Sequence, residues 1–390
     1  MTVKVRTGAD LIQDLDHPFL RGKRVGLVTN PTGITSDFRT TIEVCSHLPH
    51  SKLTALFAGE HGLYGERQAG VFFEDEFHSE LNIPVFSLYG KHKRPTAEML
   101  AHVDTIIFDM QDIGIRFYTY LSTLFYIMES CAASGKALLV LDRVNPLGGE
   151  QVEGGLLQEG YESFVGAWYM PIRTGMTIGE IALMRNQEER MHCDLDVVKL
   201  AGWTRGMEFT ETGLPWMIPS PNMPTPDAVR VYAGTCLFEG TNLSEGRGTT
   251  RPFEWIGAPW IDGKRLADQL NSRCLPGVHF HPVYITPMFS KHQGTLCGGV
   301  RLFVTDPLWY RSVETGLVLL HEVINHCPEK FEWLAPPEGR TRCFIDLLTG
   351  GEEVRSVVAN QAGLSQIMKK WKQDESAWKQ RRKPYLLYGR

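Results

Sequence analysis

Five short apolar runs in the first 150 residues, each closed by polar or glycine-rich residues, restrict this chain more than any other feature. They cover 24–29, ending in Asn30-Pro31-Thr32-Gly33; 53–57, ending in Gly59-Glu60-His61-Gly62; 84–88, ending in Tyr89-Gly90; 105–108, ending in Asp109; and 137–141, ending in Asp142-Arg143-Val144-Asn145-Pro146. β-Branched and aromatic runs of this length, bounded by charges, are strands buried on both faces. Helical segments fall between them at 36–46, at 95–101 with Pro95 leading, and at 117–134 closed by Gly135. Strand–helix repetition predicts right-handed crossovers and a parallel, Rossmann-like sheet with all five polar ends on one edge. Ligands bind beyond that edge in open α/β sheets. Neither a GxGxxG turn nor a Walker A loop follows the first strand, so the shape implies no nucleotide.

A chain of 390 residues favours two domains. The glycine pairs Gly148-Gly149 and Gly154-Gly155 place the division at 1–150 and 151–390. The fold class expected is a Rossmann-like parallel α/β domain followed by a second α/β (α+β) domain, with a cleft between them. In the second part Thr177 and Glu180 have the spacing of a capping box. Strands are predicted at 195–200, 278–286 and 299–304, and helices at 262–271, 312–325 and 364–382. The last carries Ile367, Trp371 and Trp378 on one face, a packing element with an oligomer contact as the alternative. Residues 214–260 are dense in Pro, Gly, Asn, Thr and Trp, and read as a long irregular substrate loop.

A net charge of −5, without a Lys/Arg stripe, argues against nucleic acid. No apolar run approaches the ~20 residues that span a bilayer, and MTVKVRTGADLIQDL lacks a signal-peptide core. The reading is a protein with no membrane role, cytoplasmic, or secreted or periplasmic after removal of a signal peptide. Eight scattered cysteines without a CxxC suggest reduced thiols. HExxH, EF-hand and GxSxG motifs are absent, and no ligand spacing supports a metal.

Candidate chemistry gathers at the strand ends. Glu60 follows a buried strand directly, where partial desolvation suits a general acid; His61 beside it reads as a hydrogen-bonding residue. Asp109, Gln111, Asp112 and Arg116 end the fourth run and lead into a tyrosine-rich stretch containing Tyr118. They are either an ion-pair cluster or part of a cleft, and paired carboxyls are the equipment of glycoside hydrolysis. Arg116, Arg143, Arg173 and Arg247 offer forks for a substrate carboxylate. Asn145 joins them at the fifth strand end. Residues 238–250 pack Glu239, Asn242, Glu245 and Arg247 among glycines and hydroxyls, a density suited to a polyhydroxylated ligand.

The segments GLVTNPTGI (26–34), EHGLYG (60–65), SLYG (87–90), DMQDIGIRFYTYLST (109–123), LDRVNPLGG (141–149), GMTIGE (175–180), TGLPWMIPSPNMPT (212–225, with Asn222) and CLFEGTNLSEGRGTTRPFEWIGAPW (236–260) together resemble the NamZ-like exo-β-N-acetylmuramidases, nearly along the full chain. The resemblance implies a two-part α/β enzyme without a cofactor. It would release terminal N-acetylmuramic acid from the non-reducing end of peptidoglycan fragments, muropeptide or disaccharide. Glu60 lies in the family's Glu-His-Gly motif and is the first choice of catalytic carboxyl, with Asp109 and Asp112 behind it. Gly59 and Val144 stand where the family pattern has Pro, and Thr174 where it has His, a change that bears on substrate preference. The alternatives are a sugar- or muropeptide-binding protein without turnover, and an oxidoreductase for which 30–33 hardly supplies a phosphate loop.

Overall fold

The computed structural model describes residues 5–15, 17–336 and 338–389; the first four residues of the N-terminal stretch read above lie outside them. The large sheet contains β1 (Lys23–Thr29), β2 (Ser51–Ala58), β3 (Glu76–His78), β4 (Ile83–Ser87), β5 (Thr105–Asp109), β6 (Ala137–Leu141) and β7 (Asp194–Val198). Their order is β3-β4-β2-β1-β5-β6-β7, and every pairing is parallel except that of the short edge strand β3 with β4. All five anticipated strand ends therefore share one edge. The order reverses at β1, so Asn30, after β1, and Asp109, at the end of β5, flank the switch point.

Alternation along β5 shows why its residues are uniformly apolar. Ile106 and Phe108 enter one core and Ile107 enters the other, so both faces of the sheet are covered. The helix Thr119–Ser134 packs on the first face and stops at Gly135, whose φ of 61° lets the chain turn out of the helix. Helix 36–46 is shorter than anticipated: residues 34–40 form a bridged turn, and Thr40 caps Thr41–Ser46. Likewise Thr96 caps Ala97–Leu100.

β7 lies beyond residue 150 yet belongs to the large sheet: its Leu195 and Val197 pair with Leu138 and Val140 in register. Thr177 and Glu180 do form the capping box of the helix Ile178–Glu188 that leads into β7. The second sheet is antiparallel, β8 (Trp255–Ala258), β10 (Cys297–Val304) and β9 (Val278–Ile285) in that order. Residues 214–260 are also less irregular than anticipated. Thr225 caps the helix Pro226–Thr235 with Pro at its first position, a signal already present in the sequence. Gly234 of this helix meets Gly316 of the helix Ser312–His326 so closely that a Cβ on Gly234 would lie 2.0 Å from the Ser312 carbonyl oxygen.

One continuous apolar cluster runs from the large sheet through Ile256 and Val300 of the small one to Trp371 and Trp378. The last two lie on the helix Gln361–Arg381, and the Trp378 indole donates to the Thr174 carbonyl at 3.0 Å. That helix packs into its own chain, as its apolar face predicted. Of the cysteines, 45, 131, 193, 236 and 297 are buried thiols, whereas Cys274 is exposed. No described helix is long and apolar enough to cross a membrane.

Candidate active site

Beyond the polar edge of the large sheet lies a cleft of about 650 Å³ whose walls come from both parts of the chain. Glu60, His61, Tyr118, Asn222, Glu239, Glu245 and Arg247, all named from sequence, line it together.

Glu60 owes its position to the abrupt end of β2. The two residues after it, His61 and Gly62, both have φ of 78°, and a left-handed non-glycine residue is uncommon enough to mark a constrained turn. His61 Nδ1 lies 2.7 Å from the Arg67 carbonyl, which fixes the tautomer with hydrogen on Nδ1. Burial pushes the His61 imidazole down, against the pull of the Glu60 charge, and so favours its neutral form. Both Glu60 oxygens are held: Gly70 N donates to Oε1 at 3.1 Å, and Thr119 Oγ1 to Oε2 at 2.8 Å. Thr119 opens the long helix, so the helix N-terminus faces this carboxyl. Burial, then the Glu60 charge, pushes the Tyr89 phenol up, and it remains a donor to Glu60.

The facing wall is a charge network. Arg247 donates to Glu239 Oε1 through Nη2 at 2.6 Å and Nε at 3.1 Å, while Lys291 Nζ lies 2.9 Å from Glu245 Oε2 and reaches the carbonyls of Phe238 and Leu243. Burial pushes the Glu239 carboxyl up, with Arg247 opposing. Among the described residues Glu239 Oε2 has no hydrogen-bond partner, which leaves it for a ligand. Phe72, Tyr89 and Phe164 form an aromatic run along one lip, with ring centroids 5.4 and 5.7 Å apart. Such faces stack on sugar rings as well as on one another.

The remaining sequence candidates do not line the cleft: all are engaged in the interior except Asn242, which is half-exposed on its loop. Asp109, fully buried, takes Arg143 Nε at 2.6 Å and Nη2 at 2.9 Å and also accepts from Thr41. Gln111 donates to the carbonyls of Asp112 and Val144, and with Arg143 borders a separate small recess beside Thr32 and Trp216. Arg116, fully buried, donates to the carbonyls of Gly155, Met170 and Leu348. Arg173 pairs with Glu153 at 2.8 Å. Asn145 ties Met176 to Leu147, and Asn242 ties Lys330 to Glu332. Thr174 is buried beneath Trp378, so its side chain has no access to the cleft. Conversely, Tyr89, Lys93, Thr119, Phe164, Lys291 and Arg340 line the cleft but were not singled out as ligand groups. Tyr89 was legible as a strand end; the lysines carry no local signal.

Asp112 is the unusual member of the buried set. Gly114 N donates to Oδ2 at 2.6 Å, Oδ1 has no hydrogen-bond partner among the described residues, and burial pushes the carboxyl up to about 7. The folded pKa lies above the unfolded value near 3.9, so the folded state binds the extra proton. Its contribution to stability is complete below about pH 4 and is lost as pH rises to about 7. Asp112→Asn should therefore flatten the stability profile between those values and gain on wild type as pH rises, measured as urea midpoints at pH 4.5, 6 and 8. Parallel profiles would show that Asp112 is already ionised at the lowest of these.

Among the described residues no group of three or more His, Cys, Asp or Glu is placed to hold a metal ion. This geometry defines a class: an α/β protein whose ligand cleft lies between a doubly wound sheet and a smaller antiparallel unit. Within that class, residues 25–227 match the family model described as exo-beta-N-acetylmuramidase NamZ, N-terminal, and residues 230–388 match its C-terminal counterpart. The chain belongs to the NamZ family. It is 46% identical over 385 residues to the peptidoglycan beta-N-acetylmuramidase NamZ of Bacillus subtilis (strain 168), covering 99% of this chain and 92% of that protein. Two solved structures of DUF1343 family proteins from Bacteroides fragilis NCTC 9343 align over 99% of each chain, with TM-scores of 0.90 and 0.77 at 34% and 30% identity. The two matched regions meet at 227–230, later still than the end of β7.

Proposed function

We propose that this protein is an exo-β-N-acetylmuramidase, a glycosidase that releases N-acetylmuramic acid from the non-reducing end of peptidoglycan fragments, with Glu60 as the carboxyl that transfers the proton. Membership of the family and the near-full-length likeness to a peptidoglycan beta-N-acetylmuramidase support the activity. One observation carries the site: Glu60 is a buried carboxyl held by Gly70 and Thr119 on the wall of a cleft that both parts of the chain build.

Hydrolysis breaks the bond between the anomeric carbon and the bridging oxygen; that oxygen gains a proton and the anomeric carbon gains the hydroxyl of water. Proton transfer at the bridging oxygen falls to Glu60, oriented by Thr119 and Tyr89. Glu239 is the second carboxyl, with Oε2 directed to the sugar as positive charge builds on the ring. The polar groups of Ser220, Asn222 and Tyr118, whose hydroxyl has no hydrogen-bond partner among the described residues, are placed to meet sugar hydroxyl and acetamido groups. The expected result is release of chromophore from a chromogenic β-N-acetylmuraminide by the wild-type protein. Tight binding of the muraminide without release would support the alternative of a muropeptide-binding protein.

A further inference from the structure

Four cationic side chains line the cleft, Lys93, Arg247, Lys291 and Arg340. Arg247 and Lys291 are neutralised by Glu239 and Glu245. Lys93 and Arg340 stand differently: among the described residues neither has a carboxylate within ion-pair distance. Lys93 is half-buried, with its ammonium 4.2 Å from the centroid of Phe164 and 5.6 Å from that of Tyr89. The aromatic faces stabilise a cation without neutralising it. The acid whose charge reaches Lys93 is Glu60, and its two oxygens are already taken by Gly70 and Thr119. Arg340, which lines the same cavity, repels Lys93. Two cations facing one cavity, neither in ion-pair contact with a carboxylate among the described residues, form a site for an anion.

We propose that Lys93 and Arg340 form the subsite for the carboxylate of the substrate's lactyl group, the anionic group that distinguishes muramic acid from glucosamine. This rests on the muramidase reading. It also resolves which cation takes that carboxylate, since Arg116, Arg143 and Arg173 are engaged in the interior and Arg247 is held by Glu239. Arg340 reaches the cleft from the segment after residue 338, and Lys93 from the loop after β4, so the subsite is built by both parts of the chain.

The test compares kcat/KM on three chromogenic substrates: the β-N-acetylmuraminide with a free lactyl carboxylate, its lactyl methyl ester, and the β-N-acetylglucosaminide. Lys93→Met keeps the stem over Phe164, and Arg340→Gln alters an exposed residue, so both variants are expected to fold, checked by melting temperature. Each substitution is expected to lower kcat/KM on the free acid by roughly 10- to 100-fold, mainly through KM. The ester and the glucosaminide should change little, so the wild-type preference for acid over ester collapses. The ratio is the readout because any small effect of removing the Lys93 charge near Glu60 is common to all three substrates and cancels in it. An unchanged acid-to-ester ratio in both variants overturns the proposal. Failure of the wild type to cleave any of the three overturns the muramidase reading itself and this subsite with it.

Discussion

Glu60→Gln is expected to lower kcat on a chromogenic β-N-acetylmuraminide by about 10²- to 10⁴-fold, the usual contribution of a positioned proton-transfer group, while the protein stays folded. The amide is nearly isosteric. Its oxygen can still accept from Gly70 N, and its NH₂ can donate to Thr119 Oγ1 once that hydroxyl reverses its role. What is lost is the exchangeable proton. KM should move little, because the side chain fills the same space. A melting temperature within a degree or two of wild type, read beside the kinetics, separates loss of chemistry from loss of structure. Full kcat in a folded Glu60→Gln protein would remove Glu60 from the mechanism and move attention to Glu239.

The second large effect concerns stability. Arg143→Met leaves Asp109 fully buried with Thr41 as its remaining side-chain partner, and breaking a buried ion pair in this way costs about 3–5 kcal/mol. Urea unfolding should show that loss directly. The double variant Asp109→Asn with Arg143→Met should recover part of it, since no uncompensated charge remains. A residue that bound a substrate carboxylate would behave in the opposite way, raising KM with the unfolding midpoint unchanged. That pattern would return Arg143 to the substrate-binding set from which the buried pair with Asp109 excludes it.

The contrast between Glu60 and Arg143 shows what a sequence carries and what it does not. β1, β2, β4, β5 and β6, the helix that stops at Gly135 and the capping box at Thr177 are all written locally, in runs and end residues a few positions apart. So was the parallel sheet with its polar edge, because connected strand–helix–strand units leave few topologies. Glu60 was legible for the same reason: a carboxyl directly after a buried strand must project over that edge. Arg116, Arg143 and Arg173 were not. A long guanidinium finds its partners through tertiary contacts, and Arg116 reaches a carbonyl at Leu348, 232 positions away. Strand ends rich in Asp and Arg looked alike, yet Asp109 and Arg143 close on each other beneath the switch point, whereas Glu60 opens into the cleft. Thr225-Pro226 was a readable helix start inside the stretch taken as loop, outweighed by the Pro and Gly around it. Lys93 and Arg340 were invisible for a different reason. Nothing near either marks it, and only the fold brings them to one cavity.

Digestion of a defined, alternating glycan strand that begins with N-acetylmuramic acid at its non-reducing end shows whether the protein acts as an exo-β-N-acetylmuramidase. Products should be followed by mass spectrometry from the earliest times. The expected products are free N-acetylmuramic acid from the first time point and a strand shortened by that one residue, which then begins with N-acetylglucosamine and is not cleaved further. Internal fragments appearing before the monosaccharide, or an untouched strand, would contradict that activity.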